Sequence, residues 1–344
     1  MEQIKYQIDP ALVRRAGQLI DQADIVHVYT HVYPDGDAVG SVRALELVLT
    51  QMGKKVVCRF NEPLPEEYEW LGINVITAKL LPKPDLIVTL DADNMALFGN
   101  FASQIQTHID EGVPLLNIDH HPSNHHYGQV NVVHHTSSTT QILYVLWLEL
   151  GVVIDKPIAT ALLYGLIYDT SSFQRSNTDA LAFQNAAEFT RLGANPYFIS
   201  QKIYKHRSVS EMRLWGEVLS GLEGYCDESL IVAVVTKEIF SQYKTDHSVL
   251  VGLVNFLTNL EQARIIMLLK ETEDGEFRIS LRSDPIFDVD ELPTFDTIDV
   301  SRIAREFGGG GHLPAAGCVI DEPLEVVKDQ ILRVCLQALG KDCL

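Results

Sequence analysis

The stretch IVHVYTHVYPDGDAVGS, residues 25–41, places one imidazole and two carboxylates directly after an apolar, β-branched run. His31, Asp35 and Asp37 are residue types that ligate metal ions or move protons. Three further stretches have the same character. TLDADN supplies Asp91 and Asp93, NIDHHPSNHH supplies Asp119, His120 and His121, and YGLIYDTSSF supplies Asp169. The first two of these follow runs that read as strands, and Asp169 follows a helix or short strand. Each group has a plain structural reading on its own. An Asp after a strand is ordinarily a turn residue or helix cap, and Asp37 alone could cap a helix starting near Val39. Together they point elsewhere. Carboxylates gathered at one rim raise each other's pKa, and one or two divalent cations would relieve that crowding. Mixed carboxylate and imidazole ligation suits Mn²⁺ and, less exclusively, Mg²⁺, Fe²⁺ or Zn²⁺. Two such ions could clamp a phosphoryl group and generate hydroxide at neutral pH.

The elements that must hold these groups come from the hydrophobic pattern. Apolar strands are expected at 25–30, 55–60, 85–91 and 115–119, and helices at 39–52, near 138–150 and near 157–168. Such alternation indicates a mostly parallel sheet covered on both faces, an α/β fold. In these sheets ligands bind beyond the carboxyl ends of the strands, where the acidic and imidazole groups fall. A length of 344 residues exceeds one ordinary core. The reading divides it into a catalytic domain over 1–195, a helical linker over 196–220 and a smaller α/β domain over 221–344. That last part has strands at SLIVAVVT, ARIIMLLKE and EFRISLRS, a helix near 248–260 and one at 299–307. FGGGGH, a short strand and a final helix near 324–339 follow. The acidic string DPIFDVDELPTFDTID between them reads as an exposed loop.

Composition narrows the function classes. The net charge is −19, with both halves acidic, so the surface repels duplex DNA and anionic membranes. An anionic substrate would have to be small and locally captured. No apolar run is long enough to span a bilayer, and the start MEQIKYQIDP lacks the features of a signal peptide, so the expected location is cytoplasmic. Five scattered cysteines show no C-x-x-C spacing and imply neither a disulfide framework nor a zinc site. There is no nucleophile elbow, Walker loop or dinucleotide fingerprint.

HVYPDGDAVGS, TLDADN, IDHHP and YDTSSF, followed much later by FGGGGH, resemble the DHH phosphoesterase superfamily, in its branch with a C-terminal DHHA1 domain. Within it the chain is most similar to the stand-alone bacterial nanoRNase and pAp phosphatase group, and the resemblance covers nearly the whole chain. It implies two Mn²⁺ ions between the domains. His31 and Asp35 would bind the first, Asp37, His120 and Asp169 the second, and Asp91 would bridge them. Asp119 would orient an imidazole from behind, and His121 would lie near the scissile phosphate. Asp93 is left as a supporting or capping residue. His125, His126, His134 and His135 read as a solvated loop. In HHTSSTT the family often has an acidic residue where this chain has Gln141. Arg175, Ser176 and Asn177 are read as shaping the rim.

Gly308 to Gly311 exceed the single glycine that a helix cap needs, and bare backbone N–H groups can approach a phosphate closely. The resemblance makes Gly309, Gly310, Gly311 and His312 the substrate-holding motif, with Arg282 and Ser283 as a second contact to the nucleotide phosphate. The implied activity is Mn²⁺-dependent hydrolysis by metal-activated water. The implied substrates are short RNA of about two to five nucleotides and 3′-phosphoadenosine 5′-phosphate (pAp). The alternatives are a cyclic or linear di-AMP phosphodiesterase and a non-catalytic nucleotide sensor. A RecJ-like exonuclease or an inorganic pyrophosphatase of the same superfamily fits the length and charge less well. A homodimer is left open.

Overall fold

A computed structural model of the chain describes residues 7–76, 81–204, 207–245, 247–250, 252–283 and 297–340. Most of the acidic string expected as a loop, 284–296, and the C-terminal tail with Cys343 lie outside the described residues. The chain forms two compact units, Met1–His206 and Arg207–Leu344.

The first unit contains α1 (Pro10–Gln22), β1 (Ile25–Thr30), α2 (Gly36–Gln51), β2 (Lys55–Arg59), β3 (Leu86–Leu90) and α3 (Ala102–Asp110). It continues through β4 (Leu115–Asp119), β5 (Val130–Val133), α4 (Thr139–Glu149), α5 (Lys156–Asp169), α6 (Ala180–Arg191) and α7 (Pro196–Tyr204). The five strands form a wholly parallel sheet in the order β2-β1-β3-β4-β5. β3 and β4 are buried at every position, as strands covered on both faces must be. One face packs Val26, Val28, Val88 and Leu116 against apolar residues of α2, α4 and α5. The other packs Tyr29, Ile87 and Leu115 against Phe98 and Ile105.

That strand order creates a switch point. β1 lies between β2 and β3, so the chain leaves the carboxyl ends of β1 and β3 towards different neighbours. A crevice opens there in sheets of this kind. His31 is the first residue beyond β1, and Asp91 the first beyond β3.

Helices α2 and α5 cross closely because glycines face each other. A Cβ built on Gly40 would lie 2.8 Å from the Ala161 carbonyl oxygen and 3.0 Å from the Gly165 nitrogen. The crossing sets Asp37, in the first turn of α2, beside the last turns of α5, which end in Asp169.

The second unit contains α8 (Val209–Ser220), β6 (Glu223–Tyr225), β7 (Leu230–Val235), α9 (Lys237–Tyr243), α10 (Leu253–Leu257) and β8 (Ile265–Glu271). It ends with β9 (Phe277–Arg282), α11 (Val300–Glu306), β10 (Gly310–His312), β11 (Ala315–Ile320) and α12 (Leu324–Ala338). Its sheet runs β10-β11-β9-β8-β7-β6, with β7 and β8 parallel and the other pairs antiparallel. α11 and α12 cover one face, and α8, α9 and α10 the other. The single helix expected near 248–260 is instead a 3₁₀ turn (His247–Leu250) and the short α10. Gly252, at φ 84°, interrupts them in a conformation that a helix does not use. Among the described residues no helix is long and apolar enough to cross a membrane.

Candidate metal centre

Asp35 caps α2 through Oδ1, accepting the Asp37 and Ala38 amides at 3.0 and 3.1 Å. The capping role that the sequence allowed Asp37 therefore belongs to Asp35, and the helix begins three residues earlier than expected, at Gly36. Asp37 is released to turn inwards, where it is fully buried. Its carboxylate accepts the Thr139 amide at 2.6 Å and the Thr140 amide at 3.3 Å. These are unpaired N–H groups of the first turn of α4, which favour an anion there. Asp91 sits at φ 58°, a left-handed conformation that Asp adopts more readily than most residues. Thr139 Oγ1 donates to its Oδ1 at 2.8 Å.

Asp169 closes α5, so of the two expected settings, a helix or a short strand, the structure has the helix. Three ligating stretches leave strands; the fourth reaches the same place from the end of a helix. Asn177 Nδ2 donates to Asp169 Oδ2 at 3.2 Å.

These side chains come together. His31 Nε2 lies 3.8 Å from Asp91 Oδ2, and His120 Nε2 lies 3.5 Å from Asp91 Oδ1 and 3.8 Å from Asp169 Oδ2. Three sets have ligating atoms within 4.8 Å of one another: His31, Asp35 and Asp91; Asp37, His120 and Asp169; and Asp91, His120 and His121. Asp91 and His120 each belong to two sets, so the groups form one continuous cluster. The imidazoles are oriented from behind. His31 Nδ1 faces the Val32 carbonyl oxygen at 2.8 Å, and His120 Nδ1 faces the Thr136 carbonyl oxygen at 3.0 Å. In each case the backbone acceptor fixes the Nδ1–H tautomer and turns Nε2, as a lone-pair donor, towards the carboxylates.

Asp119 is fully buried and does not enter any of the three sets. It pairs with His121 Nδ1 at 2.7 Å and accepts Asn124 Nδ2 at 2.6 Å. Asn124 also receives Asn117 Nδ2 at 3.0 Å and donates to the Ala92 carbonyl oxygen, so the loop after β4 rests on a buried amide network. Asp93 lies outside the cluster too, accepting the Ser123 hydroxyl at 2.7 Å. His125, His126, His134 and His135 are exposed. Gln141 is buried and accepts the Ser137 amide at 2.9 Å, helping to close the entry to α4.

The electrostatics agree with a site built for cations. Burial first, then the charges of Asp91 and other neighbours, push the Asp37 carboxyl well above its usual range. Burial and then Asp35 do the same to Asp91, and burial raises Asp169. Burial opposes a charged His121. The hydrogen bond to Asp119 and the charge of Asp91 outweigh it, and the imidazole is raised to about 10. Carboxylates this crowded would give up their protons far more readily beside divalent cations. The donor set, hard oxygens with two or three imidazoles, fits Mn²⁺-type ions.

Sequence reasoning missed Thr139 and Asn124, and took Asn177 only as shaping the rim. The signal for Thr139 was present, since SSTT before an apolar helical run is an N-terminal cap pattern. Asn124 and Asn177 carry no comparable signature.

In the second unit, Ala315 pairs with Arg282 on one side and His312 on the other. Arg282 and the glycine strand therefore meet at one end of the sheet. Ser283 is buried and its hydroxyl donates to the Ile298 carbonyl oxygen at 2.6 Å. The four glycines have different reasons to be glycine. Gly308 ends α11 at φ 72°. Cβ atoms on Gly309 and Gly311 would strike β11, at 2.2 Å from the Gly317 carbonyl oxygen and 2.5 Å from the Ala315 carbonyl oxygen. A Cβ on Gly310 would meet nothing within 4 Å.

The sequence matches the DHH family, N-terminal domain, over residues 25–166, and the DHHA1 domain over residues 227–341. The chain belongs to the DHH–DHHA1 family. Asp169 lies just past the matched DHH segment. A curated relative is the bifunctional oligoribonuclease and PAP phosphatase NrnA of Thermus thermophilus, 29% identical over 327 residues, covering 90% of each chain. The cyclic-di-AMP phosphodiesterase PdeA of Listeria monocytogenes is 27% identical over 324 residues, 87% of this chain and 45% of that protein. Among solved structures, an exopolyphosphatase-related protein from Bacteroides fragilis superposes with a TM-score of 0.87. It is 25% identical and covers 98% of both chains.

Proposed function

We propose that this DHH–DHHA1 protein is a phosphoesterase that hydrolyses short oligoribonucleotides and pAp with the help of two divalent cations, Mn²⁺ foremost. The observation that carries this reading is the continuity of the cluster: Asp91 belongs to the His31 and Asp35 set, and His120 belongs both to a set with Asp91 and to the set with Asp37 and Asp169. His31, Asp35 and Asp91 would hold one ion, and Asp37, His120, Asp169 and Asp91 the other. When bound, the ions supply Lewis acidity towards a phosphoryl oxygen and lower the pKa of water.

The chain's own residues do the rest. Thr139 and the first amides of α4 fix Asp37 and Asp91, so the carboxylates need little reorganisation when a substrate arrives. Asp119 keeps a proton on His121 Nδ1 and holds the ring against the cluster. His121, about a third exposed, then donates a hydrogen bond to a phosphate oxygen. In the DHHA1 domain, Arg282, Ser283, Gly309, Gly310, Gly311 and His312 form the grip on the nucleotide. Arg282 supplies charge and Gly310 bare backbone, while Ser283 acts through the fold, by tying the end of β9 to Ile298. The similarity to NrnA supports the substrate pair.

The similarity to PdeA favours a second reading, hydrolysis of cyclic di-AMP. Purified protein incubated with pAp, pApA and cyclic di-AMP, with Mn²⁺ or with EDTA, separates the two. The expected outcome is metal-dependent release of phosphate from pAp and of mononucleotides from pApA, each faster than cleavage of cyclic di-AMP. Fastest turnover of cyclic di-AMP would establish the second reading. Nucleotide binding without turnover of any of the three would make the protein a sensor.

A further inference from the structure

We propose that Arg175 is a substrate-binding residue of the first unit, one that takes a non-bridging phosphate oxygen beside Asp169; this assignment rests on the phosphoesterase reading. Among the described residues, Arg175 is the one arginine or lysine whose charged group comes within 4.0 Å of a candidate ligand carboxylate. Its Nη1 lies 3.7 Å from Asp169 Oδ1. The site is otherwise carboxylates and imidazoles, in a chain of net charge −19. A phosphate arriving there needs a fixed cation.

The contact with Asp169 is not a finished ion pair. It is longer than a hydrogen bond, and among the described residues the guanidinium donates a hydrogen bond only to the Asp169 carbonyl oxygen, at 3.4 Å. Asp169 already has Asn177 as its close donor. The Arg175 side chain is 47% exposed, and a guanidinium carries five N–H donors. Among the described residues, Nη1 is the guanidinium atom that makes the hydrogen bond to the Asp169 carbonyl oxygen. A cation bound at Asp169 would compete with Arg175 for the carboxylate and turn the guanidinium towards an incoming anion. A guanidinium suits a phosphate because it can offer two parallel N–H groups.

The backbone that carries Arg175 is held firmly in an unusual shape. Ser171, Ser172 and Phe173 lie in succession at φ 46°, 60° and 67°, a left-handed turn that is costly for residues other than glycine. Thr170 secures it, its hydroxyl donating to the Leu166 carbonyl oxygen and accepting the Phe173 amide, while its own carbonyl accepts the amides of Gln174 and Arg175. Phe173 stacks on Phe183 with centroids 5.0 Å apart. A second left-handed run, Cys226–Glu228, serves to close the β6–β7 hairpin. The run after α5 joins no strands. It aims the chain back so that Arg175 reaches Asp169.

The test compares wild type with Arg175→Ala and Arg175→Lys on pAp and pApA, alongside Mn²⁺ titration followed by electron paramagnetic resonance. A lost charge-assisted hydrogen bond predicts a KM for both substrates raised about 10- to 100-fold, with kcat changed far less. Lys should recover part of the loss. Mn²⁺ affinity should be unchanged or tighter in Arg175→Ala, because Asp169 loses a competing positive charge. An unchanged KM would overturn the assignment. So would weakened Mn²⁺ binding with a fall confined to kcat, which would make Arg175 a prop for Asp169. A wild type that turns over neither substrate would overturn the phosphoesterase reading itself, and this assignment with it.

Discussion

Asp37 and Gly165 touch across the crossing of α2 and α5, where a Cβ on Gly165 would lie 2.6 Å from Asp37 Oδ1 and 2.5 Å from the Thr140 methyl. The absence of one methyl group on α5 thus leaves room for a buried carboxylate on α2. Sequence distance hides the link, since the two residues are joined only by the packing of their helices.

Gly165→Ala should therefore damage the site and the fold together. Overpacking of a tight core costs about 1–3 kcal/mol, and the displaced group is Asp37. The expected outcome is a melting temperature lower by several degrees and hydrolysis reduced at least about tenfold. Calorimetry and a pAp assay check both. A stable variant of normal activity would show that Asp37 can shift without consequence.

Asp91→Asn should separate stability from activity. The carboxylate is buried among like charges that, after burial itself, push its pKa up, so neutralising it removes a repulsion that opposes folding. In EDTA the variant should melt at least as high as wild type. With Mn²⁺, wild type should gain stability by mass action and the variant should gain little. Hydrolysis by the variant should fall by at least about a hundredfold, on the scale of lost electrostatic stabilisation. Thermal scans with and without metal give the first result, and initial rates give the second.

Within the glycine run, Gly309→Ala and Gly310→Ala should part company. At Gly309 the new methyl would strike the Gly317 carbonyl oxygen, whereas at Gly310 it would meet open space. Gly309→Ala is expected to unfold at lower temperature. Gly310→Ala should keep the wild-type melting curve and raise KM for pAp, because only a ligand would notice the methyl. Equal melting and equal KM for both variants would remove Gly310 from the grip.

The strands that position the cluster were legible because each is a mostly apolar run of five or six residues, and β1, β3 and β4 lie where those runs fall. β5 was not, since VNVV is only four residues long. The ligand residues were legible as types at spacings, but the way they are held was not. The helix that ends in Asp169 was legible too, since α5 spans Lys156–Asp169 where a helix near 157–168 was expected, and it settles the choice between a helix and a short strand before Asp169. The assignment of the cap to Asp35 rather than Asp37 depends on one backbone turn that residue types alone do not specify. Asn124 holds Asp119, and Asn177 holds Asp169, through contacts visible only when distant loops are folded together.

Asp35 spends one oxygen on the start of α2 while its other oxygen remains uncommitted in that cap. The helix is thus nucleated by the chain itself, and arrival of a cation recruits a side chain already anchored. On the divalent-cation reading proposed above, uptake and release of an ion would be matters of occupancy rather than of refolding, so a cell short of that ion would keep an intact, idle protein ready to be recharged.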